Sequence, residues 1–325
     1  MSKGIRNDSL GIPGGYVKAV MNALKMPPRL LRNKLRGIFV GSGRGDENRG
    51  ELLSRLLLRT RDLDLAQRVL ETNRFRKGIR PELLAHPHGR RLLVLAPHQD
   101  DEIIGCGGVF LHAVASGREV KTVYLTDGAA PRLHGEERTR YSGVRRDEAE
   151  RVWQALGGSP PTFWDLPCQR TPVDEQTAGR VAHAIEEFQP DALFVPFFLE
   201  DPDDHRKISH LLWLASKQHD LPEIEVWSYQ ITVMIAPNVA VDISDVEARK
   251  HELMQMWESQ NGSFDYAHRA RGLNAANALY VQGVLQGNPR PYVELFFVLP
   301  MREYINLVGS YFSDAPSEQL YAKFG

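Results

Sequence analysis

The chain has 325 residues, 42% of them hydrophobic and 25% charged, with 27 Gly, 20 Pro and 2 Cys. Collagen-like, disulfide-scaffold and wholly disordered classes are excluded, and the length suits one large domain with additions or two smaller ones. Forty basic against 41 acidic residues give a net charge of −1, so nothing global points to nucleic acid, and no apolar run approaches the roughly 18 residues that span a bilayer.

Charge is concentrated at the amino end. Residues 1–40 carry eight Lys and Arg against Asp8 alone, a local excess of +7. The opening MSKGIRNDSLGIPGG has neither a long apolar stretch nor a small-residue cleavage site, so no cleaved export signal is expected and a cytoplasmic location is. Val17, Val20, Met21 and Leu24 recur at helical spacing, and Leu30, Leu31, Leu35, Ile38 and Phe39 are interleaved with Arg and Lys. Such a segment either packs on the main domain with its basic face in water or lies on an anionic membrane surface, the inner membrane included. Residues 41–50, GSGRGDENRG, read as a flexible joint, and 51–72 as an amphipathic helix with Leu52, Leu53, Leu56, Leu57 and Leu65 on one side. Residues 1–90 are therefore expected to form a basic, mainly helical extension.

From residue 91 the pattern alternates. RLLVLAP (91–97) predicts a buried strand, 103–116 a helix stopped by Gly117, and 120–128 a second strand ending in Asp-Gly. RRDEAERVWQALGG (145–158) predicts a helix with Ala149, Val152, Trp153 and Leu156 on its apolar face. A short strand at TFWDLP, a helix over 173–189, a strand at 190–197 and a helix over 205–218 follow. Then come IEVWSYQI, VAVDIS, the helix DVEARKHELMQMW and the apolar run 292–300. This order implies an α/β fold over 91–325, a Rossmann-like and mostly parallel sheet with helices on both faces. Ligands in such sheets bind beyond the carboxyl ends of strands, here 97–102, 126–130 and 198–205.

Two of those places hold the same chemistry. Pro97-His98-Gln99-Asp100-Asp101-Glu102 follows one strand, and Glu200-Asp201-Pro202-Asp203-Asp204-His205 follows another. Adjacent acids repel unless a cation or hydrogen-bond donors compensate. Helix capping accounts for one or two of them but not for the histidines, whereas a bound cation accounts for all. Two imidazoles and a carboxylate with an open position suit catalytic Zn2+, Fe2+ suits the same ligands, and an all-oxygen Mg2+ or Ca2+ site would not call for two histidines. Arg132, His134 and Arg138 follow the strand end at Asp127, where they could hold a hydroxyl or a phosphate or stay solvated. Cys106 and Cys168 fit no paired-cysteine zinc site and are expected to be reduced. Gly105-Cys106-Gly107-Gly108 comes one turn too late to cradle a pyrophosphate, and acids occupy the turn itself, so a nucleotide cofactor is not expected.

PHQDDEIIGCGG (97–108) resembles the PHPDDE-type signature of the LmbE/PIG-L zinc-dependent N-deacetylases, which act on N-acetylglucosaminyl groups and related amides. The resemblance runs over roughly 91–300 through TDG (126–128), RRDEAERVWQALGG, PDALFVPF, the second histidine turn, VDIS with Lys250 and Ser259-Gln260, and VELF (293–296). It implies Zn2+ bound by His98, Asp101 and His205, and Asp100 as the general base of a metal-activated water. Glu102 would orient a ligand histidine or favour the helix dipole; Asp127, Arg132, His134, Asp201 and Asp204 are candidates for contacts with substrate or around the ion. The implied substrate is a small-molecule or lipid-linked N-acetylated sugar.

Two positions depart from the family pattern. Gln99 stands where proline is common, and the histidine that opens the family's second motif is replaced by Pro202, or by Asp201 if one residue is inserted. Losing one oxyanion donor typically costs on the order of 100-fold in rate. His210 is a candidate substitute, although five helical residues from His205 is a rotation of about 140°. Three readings stay open: removal of an N-acetyl group from an amino sugar, cleavage of a larger acyl amide, and a non-catalytic metal- or carbohydrate-binding protein.

Overall fold

The computed structural model describes residues 81–233, 235–262, 264–281, 285, 287–313 and 321. The basic segment 1–40, the joint 41–50 and the helix expected at 51–72 lie outside the described residues. Eight strands form one sheet: β1 (Glu82–Leu84), β2 (Arg91–Ala96), β3 (Glu119–Thr126), β4 (Thr162–Leu166), β5 (Ala192–Pro196), β6 (Glu225–Tyr229), β7 (Val239–Asp242) and β8 (Val293–Pro300). Their order is β1-β7-β8-β6-β5-β2-β3-β4. The helices are α1 (Asp101–Ala115), α2 (Gly135–Leu156), α3 (Glu175–Phe188), α4 (Asp203–Gln218), α5 (Glu247–Gln255), α6 (Tyr266–Asn277) and α7 (Met301–Phe312).

Pairing is parallel throughout except for β8, which runs antiparallel to both β6 and β7. The sheet takes in Glu82–Leu84, ahead of the domain start expected at 91, because Leu83 pairs with Ala240. Central strands read as continuous apolar runs since helices cover both faces. Leu92, Val94 and Ala96 join a core with Phe110, Trp153, Phe194 and Phe296, while Leu93 and Leu95, equally buried, alternate to the opposite face. On one face α1 packs against α2, α5 and α6, and on the other α4 packs against α3 and α7.

α1 seats close to the sheet. A Cβ on Gly105 would meet Tyr229 at 2.5 Å, and one on Gly108 would meet Ile243 at 2.4 Å, so these glycines serve packing. Midway along the same helix, Glu294 of β8 accepts from the Gly108 and Val109 amides (2.7 and 2.9 Å). Lys250 of α5 donates to the Ile104 carbonyl (2.7 Å) and pairs with Glu294 (2.7 Å). This fully buried network ties the helix of the first histidine turn to the last strand.

From β2 the chain runs outward through β3 to β4, then returns to place β5 on the other side of β2. The strand order therefore reverses between β2 and β5, and a crevice opens beyond their carboxyl ends. His98 leaves one of these strands and His205 follows the other.

Candidate metal centre

β2 ends at Ala96, and four residues turn the chain into α1. Asp100 sits in that turn at φ 142°, a conformation unusual for a residue with a side chain. The turn delivers His98 and Asp101 to one spot: Asp101 Oδ2 accepts from the His98 amide (2.9 Å) and lies 3.0 Å from His98 Nδ1. α4 brings His205 Nε2 to 3.4 Å from the same oxygen and 3.3 Å from His98 Nδ1. The two ring centroids are 5.3 Å apart, well inside the nanometre beyond which one ion could not join them.

The donors fit a divalent cation. One ligand atom from each of His98, Asp101 and His205 lies within 4.8 Å of the others. Behind His98, its Nε2 faces Asp204 Oδ2 at 3.4 Å. Behind His205, its Nδ1 is buried without a hydrogen-bond partner and faces Glu200 Oε2 at 4.0 Å. A carboxylate at the far nitrogen of each ring favours the tautomer whose near nitrogen carries a lone pair, the arrangement of metal-binding histidines. Burial alone would raise Asp101, but the His205 and His98 imidazoles outweigh it and hold the carboxyl far below its usual range.

His98, Cys168 and Asp204 form a second close group. Asp204 is already committed there: it accepts from Thr171 Oγ1 (3.0 Å), Lys207 Nζ (3.0 Å) and the Gln169 amide. The ammonium of Lys207 opposes a cation at that oxygen pair. The first group is the better seat.

Asp100 is buried beside the ligands and paired with Arg145 of α2, Oδ1 to Nη2 3.1 Å. The same guanidinium donates to the carbonyls of Gln99 and Gly128, so it joins the turn after β2 to the turn after β3. Gly128, at φ 66°, must be glycine: a Cβ would meet Gln99 Oε1 at 2.2 Å. Burial pushes the Asp100 carboxyl up to about 6, against the pull of Arg145.

Of the remaining candidates, Glu102 and Asp127 take other partners once the chain is folded, and three are exposed. Glu102 is buried, but it meets the Tyr124 hydroxyl, Trp153 Nε1 (3.2 Å) and the Asp100 amide (3.3 Å), not a histidine. Burial raises its pKa to about 8. Asp127 clamps Arg138 through both oxygens (2.7 and 2.8 Å). Arg132, His134 and Asp201 are exposed. His210 stacks on Phe312 (4.3 Å between centroids, 2° between planes), and its Nδ1 meets the Tyr321 hydroxyl at 2.9 Å, so its neighbours are those of the α4–α7 contact. Two residues of the site are not singled out from the sequence: Arg145, and Glu200, which enters only as one acid of the second turn. A signal for Arg145 existed: it lies on the same stripe as Ala149, Val152 and Leu156, and a charge on an apolar stripe implies a buried partner.

The chain is similar to known proteins over the region that carries these turns. Residues 93–216 match the family model described as PIG-L: GlcNAc-PI de-N-acetylase. Diacetylchitobiose deacetylase of Thermococcus kodakarensis is 27% identical over 187 residues, 53% of this chain and 70% of that protein. Among solved structures, N,N'-diacetylchitobiose deacetylase of Pyrococcus horikoshii superposes with a TM-score of 0.55 at 20% identity, covering 83% of this chain and 97% of that one. The 4-carboxy-2-hydroxymuconate hydratase of Pseudomonas putida also scores 0.55 at 20% identity, covering 65% and 96%. These two structural likenesses establish the fold and no more.

Proposed function

We propose that this chain is a zinc-dependent hydrolase removing an N-acetyl group from an amino sugar or glycoconjugate, on the premise that its residues 93–216, which match the family model described as PIG-L: GlcNAc-PI de-N-acetylase, form a domain of that kind. The observation that carries the reading is the meeting of His98, Asp101 and His205 with a buried, Arg-held Asp100 beside them. Zn2+ held by those three side chains would polarise an amide carbonyl and make water acidic enough to attack at neutral pH.

The remaining steps belong to the protein. Arg145 occupies Asp100 Oδ1, which leaves Oδ2 to take the proton of the attacking water. The protonated carboxyl then returns that proton to the leaving nitrogen. Asp204 and Glu200 face the far nitrogens of the two imidazoles, at 3.4 and 4.0 Å. Pro202 in the place of the family's histidine favours one rival, a protein that binds metal and sugar without turnover.

Metal analysis of the purified protein, with amine release from a panel of N-acetylated sugars before and after chelation, separates the two. The hydrolase releases amine and acetate and stops on chelation; metal without turnover sides with the rival. Asp100→Ala keeps its metal and loses about 100-fold or more of the rate, the usual scale for a general base, whereas His98→Ala loses both. Equal metal loss in the two variants would exchange the roles of base and ligand.

A further inference from the structure

A concave surface is formed by the segment that follows β3, at the carboxyl end of the sheet, and has no part in the chemistry above. A cavity of about 320 Å3 lies between the segment after β3 and the first half of α2, lined by Arg132, Arg140, Glu137, Tyr141, Leu133 and Ala130 among others. Ala130 is two residues beyond Gly128, whose carbonyl Arg145 holds, and Tyr141 is one helical turn before Arg145. The cavity is thus walled by the neighbours of the groups that position Asp100. Its size is at the lower end for small-molecule sites, roughly 300–1,000 Å3.

Three arginines of α2 each hold a carboxylate: Arg138 that of Asp127, Arg145 that of Asp100 and Arg146 that of Asp165. Arg140, and Arg132 just ahead of the helix, have no hydrogen bond or ion pair among the described residues, and both are exposed in the cavity wall. A guanidinium presents a planar fork of donors matched to phosphate or carboxylate oxygens. Glu137 adds an acceptor for hydroxyl groups, and Leu133 and Tyr141 add apolar surface for a ring face. Two forks, one acceptor and an apolar wall describe a sugar with an anionic substituent better than a neutral one.

Resting on the deacetylase reading, we propose that this cavity is a substrate subsite in which Arg132 and Arg140 bind a phosphate or carboxylate carried by the N-acetylated sugar. Binding and turnover test it separately. Calorimetric titration with glucose 6-phosphate and glucose, neither of which has an amide to cleave, is expected to favour the phosphate at least about ten-fold at low salt. The advantage shrinks in high salt and disappears in the Arg132→Ala/Arg140→Ala double variant, whose exposed positions leave the core intact. Equal binding of the two sugars, or an advantage that survives the double substitution, overturns the proposal.

For turnover, N-acetylglucosamine is compared with its 6-phosphate and with N-acetylmuramic acid, which carries a carboxylate. A lower KM for the phosphate, the carboxylate or both, lost in the double variant, supports the subsite and names the anion. If the anionic advantage is seen in calorimetry while no sugar of the panel is deacetylated, the deacetylase reading fails and the anion site stands.

Discussion

Asp100 combines three features that would each be costly alone: a positive φ, burial, and a carboxylate neighbour at Asp101. Arg145 offsets all three by neutralising charge and by bonding the Gln99 and Gly128 carbonyls that frame the turn. Removing one partner of such a buried pair typically costs about 3–5 kcal/mol. Arg145→Met should therefore lower both stability and rate, with Arg145→Lys intermediate. In a denaturation cycle with Asp100→Asn, the double variant should lose much less than the two single losses added together. Simple additivity would show that the pair does not act as a unit.

At the scale of elements, α4 separates two histidines by its own geometry. His205 faces the crevice from the first turn, and His210, about 140° further round, is sealed against Phe312 of α7. Burial lowers the His210 pKa to about 4, so the unfolded chain protonates first as pH drops below about 6.5. Stability from this contact is whole above that pH and is lost as pH falls toward 4, by up to about 3 kcal/mol. Thermal midpoints measured from pH 7 to 4 should fall less steeply for His210→Phe than for the parent chain; parallel curves would place the acid sensitivity elsewhere. α2 also shows what periodicity misses. It begins at Gly135, ten residues before the expected 145, because GEERTRYSGV has no apolar stripe of its own.

For the whole molecule, the metal proposed between the turns after β2 and β5 would link the two halves of the sheet across their point of reversal. Ligand linkage supplies about 4 kcal/mol when the ion exceeds its Kd 1,000-fold, on the order of 10 °C for a domain of this size. Chelation should lower the thermal midpoint by that amount, and His98→Ala should abolish the difference; an unmoved midpoint in the parent chain would argue against a resident ion. The histidine turns and the alternating elements were legible in the sequence because each is local, six residues or one periodic run at a time. Arg145 against Asp100 and the antiparallel course of β8 depend on contacts between distant segments that no window of sequence contains, and Glu200, although it lies in the second histidine turn itself, takes its place behind His205 only when that turn is folded.

β8 lies between β6 and β7 although it follows both, and every other described strand, in the chain. On the ribosome, a nascent chain that has not yet emitted residues 293–300 leaves unpaired the edges of β6 and β7 that β8 later covers, the kind of surface that invites wrong partners. The pieces that carry His98, Asp101 and His205 have by then already emerged. The residues proposed to hold an ion are thus made before β8 joins β6 to β7 and makes the sheet continuous.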